Sequence, residues 1–137
     1  MEVLPHSIRG LDEFLIYFAA SLVLLGVFIA IYIWITPYRE IALIREGNAA
    51  AAASLSGTVL GFSIPLAQSI AQSVNLAEMA MWGAIALAVQ ILVFVVASRV
   101  VFPGMATDIP NGKVAPGVVV GALSIATGIL NAACMTY

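Results

Sequence analysis

The polar residues of this chain recur on two stripes. Ser54, Thr58, Gly61, Pro65, Gln68 and Gln72 follow one another at alternating four- and three-residue steps. In a helix that spacing puts them on one face. Gly117, Gly121, Ser124, Gly128 and Asn131 form a second such stripe. Two chemistries fit. One is a packing seam: Gly57 with Gly61, and Gly117 with Gly121, stand in G-x-x-x-G, and with Gly128 they let helix backbones approach closely. The other is a hydrated path or substrate site lined by Ser54, Thr58, Pro65, Gln68, Gln72 and Asn131. Polar stripes are costly against hydrocarbon, so either reading turns them toward protein or water. Pro65 has no N–H, so the carbonyl of Gly61 loses its helical donor and needs a neighbouring helix or a ligand instead.

Catalytic constellations are missing. His6 is the sole histidine, and Cys134 is the sole cysteine, so neither an intrachain disulfide nor a Cys/His metal site can form. Cys134 reads as a small residue packed at a helix end. No phosphate loop or nucleophile elbow is present. The expectation is therefore a protein that is not an enzyme and holds no cofactor or metal.

The elements that carry the stripes follow from composition. Hydrophobic residues make up 63% of the 137, and charged residues 9%. Five Lys plus Arg and seven Asp plus Glu cannot cover a soluble domain, whereas a bilayer requires apolar faces. The net charge of -2 gives no reason to expect nucleic acid as a partner. Charge-free gaps run between Glu13 and Arg39, Glu46 and Glu78, Glu78 and Arg99, and after Lys113. Each can hold the roughly 20 apolar residues of a spanning helix. The sequence thus predicts an all-α, four-helix transmembrane protein, one domain over residues 1–137, with helices at about 12–36, 49–73, 77–102 and 114–135.

The connections differ. A tight turn lies around Asn75. Tyr38 to Asn48 reads as a short helix on the membrane surface, with Ile41 and Ile44 sharing its apolar face. Gly47 should end that helix in the left-handed region, and Asn48 should cap the second span. Pro103 to Lys113 reads as an irregular loop. Each half of the chain has a greasy helix, a proline exit, a loop, a glycine turn at Gly47 or Gly112, and a helix rich in small residues. This suggests two two-helix repeats in parallel orientation, related by an axis along the membrane normal.

Ionisable side chains are absent from mid-membrane depth, which argues against a proton pump. Gln90 is the exception to the low polarity of the third helix, suited to an interhelical hydrogen bond. Arg39, Arg45, Arg99 and Lys113 fall on one side of the bundle and Arg9 on the other, so the positive-inside rule puts both termini outside the cytoplasm. Trp34 and Tyr38 would sit at the inner interface, and Tyr17, Trp82 and Tyr137 near the outer one. Glu2, Asp12 and Glu13 outweigh Arg9 near the start, so the first apolar run reads as a retained helix and not a cleaved signal.

Longer stretches are distinctive together: Ile35-Thr36-Pro37-Tyr38, Leu43 to Ala49, Ser56 to Leu66 with its G-T-x-L-G-F-x-I-P-L run, Trp82 to Leu87, and Asn131-Ala132-Ala133-Cys134-Met135-Thr136-Tyr137. Across nearly its whole length the chain resembles the YjfL-like family, known as DUF 350 or UPF 0719. The resemblance implies a small four-helix protein of the bacterial inner membrane, and the positive-inside reading then makes both termini periplasmic. It implies no reaction, because the family carries no established activity. It implies protein partners linked to envelope stress, and it marks Gly57, Gly61, Pro65, Asn131 and Cys134. Two functions compete: a non-enzymatic scaffold that forms homo-oligomers in the lipid bilayer and meets membrane or cytoplasmic partners, or a small oligomeric channel or carrier for ions or small solutes.

Overall fold

The computed structural model describes the backbone from Val3 to Met135, with side chains from Gly10 onward. Readings that rest on the side chains of His6, Arg9 or Tyr137 lie outside these residues. The helices are α1 (Val3–Ile35), α2 (Glu40–Arg45), α3 (Ala49–Gln72), α4 (Leu76–Val96), α5 (Met105–Asp108) and α6 (Val114–Ala133). Four of them are long and apolar enough to cross a membrane: Gly10–Ile35, Ala49–Gln72, Leu76–Val101 and Val114–Ala133. No strand occurs among the described residues. The chain is an all-helical membrane protein with a bilayer as solvent for its apolar outer faces.

The bundle is built on the pair α3 and α6. A Cβ added to Gly57 would overlap the backbone of Gly121, and one on Gly61 would overlap that of Ser124. One on Gly117 would meet Ala50, and one on Gly128 would meet the carbonyl of Gly61. Residue numbers rise together along these contacts, so the two helices run in the same direction. Absent side chains bring backbone against backbone, and Cα–H groups face carbonyl oxygens across the seam. Helix α3 continues through Pro65. The Gly61 carbonyl that Pro65 deprives of its N–H donor lies against Gly128, where a Cα–H group takes the donor's place.

Two buried clusters flank the seam. Toward the α2 end, Tyr32 packs on Phe94 with ring centroids 4.6 Å apart, beside Ala50, Ala97, Met105 and Ile109. Toward the other end, Phe28 stacks on Phe62 at 4.6 Å, with Leu66, Met79, Ala86 and Met135. Helix α1 lies at the edge, and only 11% of its spanning window is buried.

Turns precede both α3 and α6, and they share one hydrogen-bond pattern. Gly47 N donates to Ile44 O and Asn48 N to Leu43 O; Gly112 N donates to Ile109 O and Lys113 N to Asp108 O. Both glycines have positive φ, 88° and 79°, as this helix ending requires. The segment before α6, expected to be irregular, contains the helical turn α5 because Met105 and Ile109 stand four residues apart and are both buried. The third spanning helix is also not uniform. Phe102 N bonds Ala97 O, and Ala97–Val101 form a π-helical turn. Such turns are rare and occur often at functional sites.

Asn48 ties the two turns together. Its side-chain oxygen accepts from Ala51 N at 3.0 Å, capping α3, and its amide donates to Ile109 O at 2.8 Å. Asn48→Ala should therefore lower stability by about 1–2 kcal/mol in detergent unfolding. Asn48→Asp, which keeps the acceptor and loses the donor, should recover part of that. Equal stability of Asn48→Ala and wild type would show that the turn holds without this bridge.

Candidate functional site: a carboxyl buried beneath the first helix end

Thr36 ends α1 and Pro37 bends the chain back, so that α2 starts under the end of α1 and against α3. Glu40, its first residue, is fully buried. The surface-helix expectation is corrected on this point. Along α2 the residues that turn inward are Glu40, Leu43 and Ile44, which share a face by the i, i+3, i+4 rule, whereas Ile41 turns outward. The sequence did contain this signal: Glu40 lies between Leu43 and Ile44 on the apolar side of the turn.

Hydroxyls surround the carboxyl. Tyr32 and Thr36 come from α1 and its exit, Tyr38 from the bend, and Ser54 from α3. Tyr32 Oη and Ser54 Oγ share a hydrogen bond of 2.7 Å. Thr36 donates its hydroxyl proton to Ile33 O at 3.0 Å, so only its lone pairs remain. Neither carboxyl oxygen of Glu40 completes a hydrogen bond, nor does the buried Oη of Tyr38. Lys113 with Asp108 is the ion pair seen among the described residues, so no cationic side chain pairs with Glu40.

A buried charge without a counter-ion favours its neutral form. Burial pushes the Glu40 carboxyl up to about 7, with the Tyr32 hydroxyl drawing it back toward the ordinary range. Burial also pushes the Tyr38 hydroxyl up, and the Glu40 charge adds to that. Next to this group lies a cavity of about 300 Å³, lined by Thr36, Tyr38, Phe94, Ser98, Arg99 and Met105 among others. Ser98 and Arg99 belong to the π turn, so the irregular end of α4 forms a wall of the cavity.

The stripe residues fall in different places. Ser54 and Thr58 are fully buried, and Thr58 donates to Ser54 O. Pro65 is buried, Gln68 is half-buried and Gln72 is exposed. Asn131 Nδ2 donates to Ala86 O at 3.3 Å, joining α6 to α4. Gln90 Nε2 donates to Ser124 O at 3.2 Å, while its buried Oε1 has no partner. Gly57, Gly61, Gly117, Gly121 and Gly128 all lie in the seam within one chain. Cys134 is exposed at the end of α6. No group of His, Cys, Asp and Glu able to hold a metal occurs among the described residues.

Four apolar helices, closed on a glycine seam and holding, among the described residues, one buried and unpaired carboxyl near a loop end, define a small multi-pass helical membrane protein. The chain belongs to the family described as Domain of Unknown Function (DUF350), whose model matches residues 6–135. It is 39% identical to the UPF0719 inner membrane protein YjfL of Escherichia coli K12 over 132 residues, which is 96% of this chain and 99% of that protein. The protein of the same description from Escherichia coli O157:H7 matches equally. No solved structure matches.

Proposed function

We propose that this chain is a non-enzymatic protein of the bacterial inner membrane that acts by association, as a homo-oligomer that also meets membrane or cytoplasmic partners. The observation that carries the reading is how the helices divide their tasks. The glycine seams of α3 and α6 are closed inside one chain, whereas α1 is long, apolar and only 11% buried. Self-association would then run over α1 and not over the G-x-x-x-G motifs. The relatives' description as inner membrane proteins supports the location. The gathering of Arg39, Arg45, Arg99 and Lys113 around α2, the π turn and α5 supports a cytoplasmic loop end and periplasmic termini. The matched turns before α3 and α6, and their common direction, support two parallel two-helix halves.

Counting protomers in lipid nanodiscs by stepwise photobleaching tests the reading. Wild type should occupy discs as more than one copy. Val23→Trp with Val27→Trp, both on the outward side of α1, should weaken self-association by at least about tenfold. A strictly monomeric wild type that also captures no membrane protein would end the scaffold reading.

A second reading, an oligomeric channel or carrier, is favoured by Glu40, a fully buried carboxyl at the loop end of the bundle whose charge an ion could neutralise. Liposome flux of common ions decides it. No flux above protein-free vesicles, with wild type and Gln68→Leu alike, would set it aside.

A further inference from the structure

We propose that Glu40, together with the hydroxyls of Tyr32, Thr36, Tyr38 and Ser54, forms a binding site for a monovalent cation of the sodium class, held in competition with a proton. The geometry supplies an unusual set of oxygens. Glu40 is fully buried, both of its carboxyl oxygens lack hydrogen bonds, and the buried Oη of Tyr38 lacks one too. The hydroxyls of Tyr32 and Ser54 share a hydrogen bond of 2.7 Å, and Tyr32 and Thr36 are the hydroxyls that act most on the carboxyl after burial. Thr36 has only lone pairs to offer, because its proton is held by Ile33 O. A buried carboxylate that completes no hydrogen bond and has no counter-ion among the described residues is matched by something positive, and not by a further acceptor.

Charge decides which positive species fits. The site carries one carboxylate among neutral oxygens. A monovalent cation neutralises it, whereas a divalent ion would leave a net charge in the interior. Hard cations prefer oxygen ligands of this kind, and the absence of His and Cys from the group excludes a softer metal. The cavity that shares Thr36 and Tyr38 with the site gives a way in. Arg99, on the cavity wall, is exposed and forms no ion pair among the described residues. Among the described residues that line the cavity, it is the one cationic side chain. The other titratable groups near the carboxyl are Tyr32 from α1 and Tyr38 from the bend; α3 contributes only the neutral Ser54. The site stands whether or not the chain assembles or transports anything.

Thermal unfolding of the full chain in detergent, titrated with sodium chloride against choline chloride at constant ionic strength, reads the site directly. Sodium should raise the melting temperature of wild type at pH 8, where the proton has left, and choline should not. The sodium concentration for half the effect should rise by about tenfold for each pH unit below the carboxyl's titration. Glu40→Gln should lose the response. Should that variant fail to fold, Tyr38→Phe keeps the test open, because it removes an oxygen that holds no hydrogen bond; it should fold and need about tenfold more sodium. Equal melting in sodium and choline at every pH would mean that the carboxyl binds only a proton, and would overturn the proposal. A sodium response unchanged in Tyr38→Phe and Glu40→Gln would place the ion elsewhere and overturn it equally.

Discussion

Replacing Gly61 with valine should prevent stable folding of the bundle, at a cost of more than about 3 kcal/mol. A side chain there would overlap the backbone of Ser124 and press on Gln90 Nε2, which stands 3.1 Å from the position of the added carbon. Backbone cannot swing aside as a flexible side chain can. Helices α3 and α6 would have to separate, and the Gly128 contact with the Gly61 carbonyl would be lost with them. Gly26→Val is the control. Nothing lies within 4 Å of its added carbon, so it should be nearly neutral despite the same chemical change. Reversible unfolding in mixed detergent micelles compares the two. Similar stabilities for Gly61→Val and Gly26→Val would show that the seam is not the foundation of the fold.

The second large effect is on pH. Glu40 titrates at about 7 in the folded chain, against an ordinary value of 4.5. Between these values the folded protein holds a proton that the unfolded chain has released, so the unfolded state binds fewer protons and stability falls as pH rises. Below pH 4.5 the carboxyl is neutral in both states and imposes no penalty. Above about 7 it is charged in both, and the cost of burying the charge is complete. A shift of this size corresponds to roughly 3 kcal/mol across the window. In choline buffer, without small cations, wild type should therefore lose stability from pH 5 to pH 8, and Glu40→Gln should not. A flat wild-type profile would mean that the carboxyl reaches water or finds a counter-ion.

Much of the architecture was legible because lipid imposes so few solutions. Charge-free runs of sufficient length predicted four spanning helices, and four helices of the structure are long and apolar enough to cross a membrane. Gly47 and Asn48 also behaved as their types require: one takes positive φ, and the other caps α3. Three features were harder to see. The π turn at Ala97–Val101 leaves no mark in an apolar run, because i→i−5 bonding needs no particular side chain. α5 was hidden among prolines and glycines that usually mean a loop, and only the pair Met105 and Ile109 betrayed it. Glu40 was not singled out, for a more instructive reason. A carboxyl beside Arg39 in a polar segment reads as solvated surface, and the backbone turn at Pro37 decides otherwise. The partners of the stripe residues were equally beyond a single sequence, since a glycine seam looks the same whether it joins two helices of one chain or of two.

The most direct test is to titrate Glu40 itself. Infrared difference spectra of the protein in lipid, wild type minus Glu40→Gln, isolate its carboxyl band, and sodium-free buffer removes any competing ion. A buried, unpaired carboxyl should pass from acid to carboxylate with a midpoint near 7. A midpoint at the ordinary 4.5 would contradict the account, because it would put that side chain in water.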